Sequence, residues 1–123
     1  MEVINLNEKF SQFSEFWSPK VIGSLEGYQI KIAKFKDEFI WHTHEKEDEF
    51  FLVISGRVDL HVKQNGKVEV FTLNDGEGLV VPQGIEHMPV SKGISNVLLF
   101  EPATTLNTGN VINEMTVEEI EKI

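Results

Sequence analysis

Three histidines and one glutamate are the residues of this chain whose types and spacing best suit metal binding. His42 and His44 stand one residue apart, Glu49 follows five positions after His44, and His87 lies in a later segment. Alternate side chains of an extended strand share a face, so His42 and His44 would point the same way, roughly 7 Å apart. Imidazole nitrogens and a carboxylate oxygen suit divalent Fe, Mn, Ni, Cu or Zn. We therefore expect one such ion per chain, bound by these four side chains.

Such a metal site would have room for a further ligand. An ion with four protein ligands keeps one or two positions open when it prefers five or six, and these can take water, dioxygen or a substrate oxygen. The ion could then act as a Lewis acid or as a redox centre. Phe51 and Val53 share the face of Glu49 on the expected strand, which favours a small, sugar-like or partly apolar ligand. No separate acid or base stands out, so the catalytic residues are left open.

Most of the chain has the pattern of short strands separated by turns, and these strands must position the four ligands. Strands are predicted at residues 20–25, 28–35, 38–44, 49–55, 57–63, 67–73, 79–81 and 97–100. In the second of them Tyr28, Ile30 and Ile32 alternate with Gln29 and Lys31, the pattern of a half-buried strand. His61 falls on the polar face of its strand, away from the expected ligands. Strands at this spacing indicate an all-β barrel or sandwich.

Short helical segments are expected at both ends of the chain. Residues 7–17 carry three phenylalanines and Trp17 at spacings that allow one or two helical turns, with Asn7 as the N-cap. These aromatic side chains are expected to cover an open end of the barrel or a subunit interface; alternatively, Trp17 lines the ligand pocket. Residues 116–119 have the form of a capping box, which predicts a C-terminal helix reaching Ile123.

Composition limits the partners that this chain can have. Its 123 residues, 41% of them hydrophobic, favour a single domain, 1–123. The net charge of −9 and the single arginine, Arg57, argue against nucleic acid, an anionic membrane or a phosphorylated sugar. There is no cysteine, no long apolar run and no signal-peptide pattern at the N-terminus. We expect a soluble, cytoplasmic protein.

Two motifs of the chain resemble those of the cupin superfamily. The first, usually G-x5-H-x-H-x3 or x4-E-x6-G, is matched by His42, His44, Glu49 and Gly56, with Lys36 in place of the leading glycine. The second, usually G-x5-P-x-G-x2-H-x3-N, is matched by Gly76, Pro82, Gly84 and His87, with Ser91 in place of the asparagine. All four ligand positions are kept, so the resemblance implies a metal-binding member of the superfamily.

The resemblance also implies a fold and a range of functions. The expected fold is a cupin-type double-stranded β-helix, or jelly-roll barrel, with its core at about residues 20–101. The expected function is a metal-dependent enzyme of the dioxygenase or isomerase/epimerase type acting on a small molecule; small cupins are often likened to phosphomannose isomerases. A non-catalytic metal- or ligand-binding module and a purely structural barrel are the alternatives. Cupins commonly pair, so a homodimer is predicted.

Overall fold

Seven antiparallel strands and one short helix make up the protein in a computed structural model that describes residues 1–123. The helix is α1 (Leu6–Phe10), and the strands are β1 (Lys20–Leu25), β2 (Tyr28–Glu38), β3 (Glu49–Ser55), β4 (Arg57–Gln64), β5 (Lys67–Asn74), β6 (Gly78–Val81) and β7 (Glu86–Pro102). No helix has the length and apolar character needed to cross a membrane. The predicted all-β jelly-roll fold is confirmed.

The long strand β7 joins the two layers of the barrel. Its first part, residues 86–91, pairs with β4, which also pairs with β5. Its second part lies between β2 and β3 in the order β1-β2-β7-β3-β6. The sequence pattern predicted only residues 97–100 of this strand, whereas Pro89 and Gly93 both lie within it. Pro89 has no amide to donate, yet its carbonyl accepts a hydrogen bond from the amide of Phe39.

Inward-facing residues of six strands, β2 to β7, fill the barrel interior. Phe35, Phe51, Leu60 and Val97 are representative members of one buried apolar cluster. The inward residues of β2 are Lys31, Ala33 and Phe35, so the half-buried pattern expected for this strand is wrong. Ile32 is also fully buried, on the outer face, because Phe10 and Phe13 pack on it. Around Ile32, both faces of β2 are therefore covered.

The N-terminal helix is shorter than predicted. It ends at Phe10, and its N-cap is Asn5 rather than Asn7, because the Asn5 side chain accepts a hydrogen bond from the amide of Glu8. Beyond the helix the chain pairs with β2, where the amide of Trp17 donates to the carbonyl of Lys34 at 2.9 Å. Trp17 is thereby fixed at one end of the barrel.

The predicted C-terminal helix is wrong. Residues 116–123 are irregular, with a bend at 118–119, and the last of them run parallel to β1. The amide of Val21 donates to the carbonyl of Glu121, and the amide of Ile123 donates to the carbonyl of Val21. The main-chain groups that would have formed helical hydrogen bonds are thus bonded to the edge of β1 instead. The hydroxyl of Thr116 is hydrogen-bonded to the hydroxyl of Thr108 at 2.7 Å.

The strand predicted at residues 38–44 is also wrong beyond its first residue. Residues 39–48 have an irregular path with a single β-bridge between His42 and His87. This segment carries two of the four expected ligands, so its position depends on contacts with the rest of the chain.

Candidate metal centre

The four side chains singled out by the sequence converge inside the barrel. Their nearest donor atoms all lie within 4.8 Å of one another, so a single ion could contact the set. All four are buried, with at most 5% of each residue exposed: His42, His44, Glu49 and His87. His61, expected outside the site, is not part of this cluster.

Main-chain contacts hold the ligand-bearing segments together. His42 and His87 exchange two main-chain hydrogen bonds, at 3.0 and 2.9 Å, and their rings are 4.3 Å apart between centroids. The carbonyl of His44 accepts from the amide of Gly84 at 2.8 Å. Glu49 is the first residue of β3 and faces the interior with Phe51. The irregular segment is therefore tied to the turn before β7.

Two carbonyls set the orientation of two imidazoles. Nδ1 of His42 lies 2.9 Å from the carbonyl of Ile40, and Nδ1 of His87 lies 2.8 Å from the carbonyl of Ile85. A carbonyl only accepts, so each Nδ1 carries a proton, and the Nε2 of a neutral ring keeps its lone pair. Metal-binding histidines are commonly held by such bonds.

Several ligand atoms of the cluster face one another inside the barrel. Nε2 of His87 lies 3.3 Å from Oε1 of Glu49, and Nε2 of His44 lies 3.5 Å from the same oxygen. Neither ring nitrogen of His44 has a hydrogen-bond partner. Buried acceptors that face each other are costly unless a proton or a metal ion lies between them. The residues therefore fit a divalent metal ion.

The ionisation states of two of these residues also suit a metal. Burial, helped by neighbouring His87, lowers the pKa of His42 to about 4, so the ring is neutral at pH 7. Burial by itself would raise the pKa of Glu49, but the neighbouring side chains of Glu101, His44 and His87 hold it well below its usual range. Metal ligands must be neutral imidazoles and ionised carboxylates. Little proton competition is therefore expected at these two positions.

An aromatic cavity adjoins the cluster. Trp17 stacks on Phe35 and Phe39, with ring centroids 4.2 and 4.7 Å apart, and these rings form much of the wall. His42 and Glu49 contribute to the same wall, and the space amounts to about 400 Å³ including its open mouth. The alternative interpretation, in which Trp17 lines the pocket, agrees with the structure.

A buried lysine–glutamate pair beside the cavity was missed by the sequence analysis. Nζ of Lys31 lies 2.8 Å from Oε1 of Glu101, and both residues are almost fully buried. Burial and the adjacent Glu49 carboxylate raise the pKa of Glu101 well above its usual range. The available signal was strand alternation, because Lys31 shares a face with Ala33, and Glu101 shares a face with Leu99. The apolar residues Ile30 and Ile32, however, indicated that the other face of β2 was the interior.

Comparison with known proteins places this architecture in a family. The family model described as Cupin domain matches residues 30–101, more than half of the chain. A cupin-2 domain containing protein from Shewanella frigidimarina NCIMB 400 is 40% identical, with a TM-score of 0.76 over 81% of this chain and 94% of that one.

More distant similarities are of two kinds. The uncharacterized protein YdbB of Bacillus subtilis (strain 168) is 28% identical over 67% of this chain, and the match spans 64% of its own length. The structure of hydroquinone 1,2-dioxygenase from Sphingomonas sp. TTNP3 with 4-hydroxybenzoate bound has a TM-score of 0.75 at 22% identity, over 84% of this chain and 32% of that one. This last similarity concerns the fold. With the family match covering most of the barrel, the chain belongs to the cupin family.

Proposed function

We propose that this protein is a metal-dependent cupin enzyme whose metal ligands are His42, His44, Glu49 and His87. The observation that carries the proposal is a shared wall: the buried cluster of four donors supplies His42 and Glu49 to the aromatic cavity. A small molecule bound in that cavity would lie beside the metal centre. When bound there, the metal ion would supply Lewis-acid or redox chemistry.

The cavity wall favours a dioxygenase-type reaction on a planar, partly apolar molecule. No lysine or arginine lines the cavity, so a phosphate group would have no cationic partner. The flat rings of Trp17, Phe35 and Phe39 suit a ring that stacks on them. The fold similarity to a dioxygenase that has 4-hydroxybenzoate bound supports the same choice. An isomerase or epimerase acting on a sugar phosphate is the less favoured reading.

The chain's own residues would contribute orientation and exclusion of water. The carbonyls of Ile40 and Ile85 fix two imidazoles, which saves the cost of ordering them during the reaction. The aromatic wall would hold the reacting ring against the metal centre and reduce access of water. A non-catalytic binding module is the second candidate, favoured by one observation: apart from the proposed metal ligands, the only titratable side chain in the wall is Glu101, which is engaged by Lys31.

Metal analysis tests the site itself. Protein purified without added metal or chelator is compared with the His42→Ala, His87→Ala double variant and with His61→Ala, which removes a histidine outside the cluster. We expect close to one transition metal ion per chain in wild type and in His61→Ala, and almost none in the double variant. Wild-type protein that stays empty after incubation with each of Fe, Mn, Ni, Cu and Zn would exclude the proposed site.

Oxygen consumption then separates an enzyme from a binding module. Iron-loaded wild-type protein is mixed with hydroxylated aromatic compounds and, separately, with sugars, in an oxygen-electrode assay. Consumption that requires an aromatic compound and disappears in the double variant is the expected result. Binding of the aromatic compound without oxygen uptake or product would favour the non-catalytic module.

A further inference from the structure

We propose that Glu101, held by Lys31, is the specificity residue of the cavity and binds the hydroxyl group of an aromatic ring. The inference rests on the proposed function only in placing the ligand in the cavity beside the metal centre. It adds a substrate class, a hydroxylated aromatic ring, and names the side chain that selects it.

One carboxylate oxygen of Glu101 is left for a ligand. Oε1 accepts from Nζ of Lys31 at 2.8 Å, whereas Oε2 has no hydrogen-bond partner. Only 2% of Glu101 is exposed, and the residue belongs to the cavity wall. Buried polar atoms are nearly always paired, so an unpaired oxygen in a binding cavity indicates a partner that arrives with the ligand.

Lys31 fixes the position of this carboxylate. It is fully buried, and its Nζ also lies 3.5 Å from the carbonyl of Thr105, so the ammonium group is held between two acceptors. A buried ion pair gives little net stability compared with apolar residues of the same volume. Its presence at the wall of a cavity therefore points to a binding role rather than to stabilisation of the barrel.

Strand register brings this carboxylate close to the metal centre. Phe50 and Phe51 of β3 pair with Phe100 and Leu99 of β7, and one step further along the same register Glu49 lies opposite Glu101. A ligand group bound by Glu101 is therefore adjacent to a metal ligand. The same ligand's ring has the Trp17 side of the cavity to stack on.

A hydroxyl group is the ligand group that suits Oε2 best. It can donate to a carboxylate and accept from a carboxylic acid, so it pairs with Glu101 in either protonation state. A ligand carboxylate in the same place would meet two glutamates, Glu49 and Glu101, in the wall. A phenol thus combines the planar apolar body and the hydroxyl that the cavity requires.

Binding of phenol and toluene to the full-length chain tests this proposal. In a Trp41→Phe background only Trp17, a residue of the cavity wall, gives an indole N–H signal in NMR spectra, and that group donates to the carbonyl of Lys36 at 2.9 Å. Both probes are titrated into protein as purified and again after chelation. We expect both to shift the Trp17 signal. The ratio of phenol to toluene affinity should fall at least tenfold in the Lys31→Met, Glu101→Met double variant.

The matched control removes another lysine–glutamate pair. Lys63 and Glu86 form a half-exposed pair at 3.5 Å outside the cavity, and the Lys63→Met, Glu86→Met variant should keep the wild-type ratio. An independent measurement needs no variant at Glu101: its side-chain carboxyl ¹³C signal should move with phenol and stay in place with toluene. If the double variant does not fold, this carboxyl signal still tests whether Glu101 binds the hydroxyl group.

Several results would overturn the proposal. They are an unchanged ratio in the double variant, a carboxyl signal of Glu101 that ignores phenol, or no response of Trp17 to either probe. Loss of bound metal in Glu101→Gln would instead make Glu101 a metal ligand and would equally reject its role as a specificity residue. Because the binding is also measured after chelation, failure of this inference is distinct from failure of the metal site.

Discussion

His42 is neutral in the folded chain, and this lowers the free energy of unfolding in acid. Its pKa falls from the usual 6.5 to about 4 on folding, mainly through burial. Between these two values the unfolded chain binds a proton at His42 and the folded chain does not. The free energy of unfolding of the metal-free protein must therefore decrease as the pH falls through this range.

This effect can be measured by urea unfolding in the presence of a chelator. His42 alone should make the metal-free protein about 2 kcal/mol less stable at pH 5 than at pH 7. The His42→Gln variant carries no titrating group at this position, so its loss of stability between the two pH values should be smaller by that amount. Equal losses in wild type and variant would show that burial does not suppress protonation of His42.

Residue spacing was sufficient to predict the four clustered side chains, but not the pair beside them. Two motifs, whose spacing can be read directly from the sequence, contain these four residues: His42, His44, Glu49 and His87. The inward direction of Lys31 could not be read in this way. Ile32, its neighbour, is fully buried on the other face by Phe10 and Phe13, so the alternation of apolar and polar residues no longer indicates which face is the interior.

At the scale of elements, the irregular segment 39–48 carries two of the four proposed metal ligands. Two parts of the chain hold this segment. One is the turn before β7, and the other is the stretch after β7, residues 103–123, called the C-terminal segment below. The carbonyl of Thr43 accepts from the amide of Asn110 at 3.0 Å, and the amide of Thr43 donates to the Asn110 side chain at 2.8 Å. Thr43 lies between His42 and His44, so the C-terminal segment helps to set the position of both proposed ligands.

Gly109 is the residue that permits this contact. Its φ is +56°, and a Cβ placed there would lie 2.3 Å from the carbonyl oxygen of Thr43 and 3.3 Å from the His42 ring. Gly109→Ala should therefore displace the ligand segment and weaken metal binding at least tenfold, as loss of supporting contacts commonly does. Competition with a chromophoric chelator measures the change.

Gly66 offers the matched control for this prediction. Its φ is +75°, but a Cβ there would have no neighbour within 4 Å. Gly66→Ala should cost about 1–2 kcal/mol of stability from backbone strain and leave metal affinity unchanged. If both variants bind metal as wild type does, the C-terminal segment has no part in positioning the ligands.

Secondary structure was predictable where the local sequence pattern determines it. It was not predictable where pairing with a distant part of the chain determines it. The strands β1, β3, β4 and β5 follow local alternation and turn signals, and they begin and end within one residue of the predicted limits. The C-terminal residues carry a capping box, but the free edge of β1 offers their main chain partners about a hundred residues away. Local sequence cannot reveal that competition.

At the scale of the whole molecule, one half of an outer sheet face is covered and the other is open. Phe10 and Phe13 pack over Ile32 within the same chain, so they are not available to a subunit interface, which was one of the two positions expected for them. The row Ile30, Phe100, Phe50 and Val80 runs across four neighbouring strands by register and remains partly exposed. This row defines the open apolar face.

We predict that the open apolar face pairs with a second copy of the chain. A contiguous apolar patch of this kind commonly marks an interface, and a twofold dimer would bury the same patch of both copies. Light scattering after size exclusion should then give about 28 kDa, twice the 14.0 kDa of one chain. A species of about 14 kDa alone would reject the dimer.

Glutamate substitutions at two valines distinguish a loss of the interface from a general effect of added charge. Val80 on the open apolar face and Val68 on β5 are similarly exposed, at 56% and 53%, so a glutamate at either position costs the monomer little. Val80→Glu should shift the protein to monomer, because two copies would bring like charges into an apolar contact. Val68→Glu, in a strand that pairs only with β4, should leave the dimer intact. Dissociation by Val68→Glu and not by Val80→Glu would place the interface on the β5 side of the barrel instead.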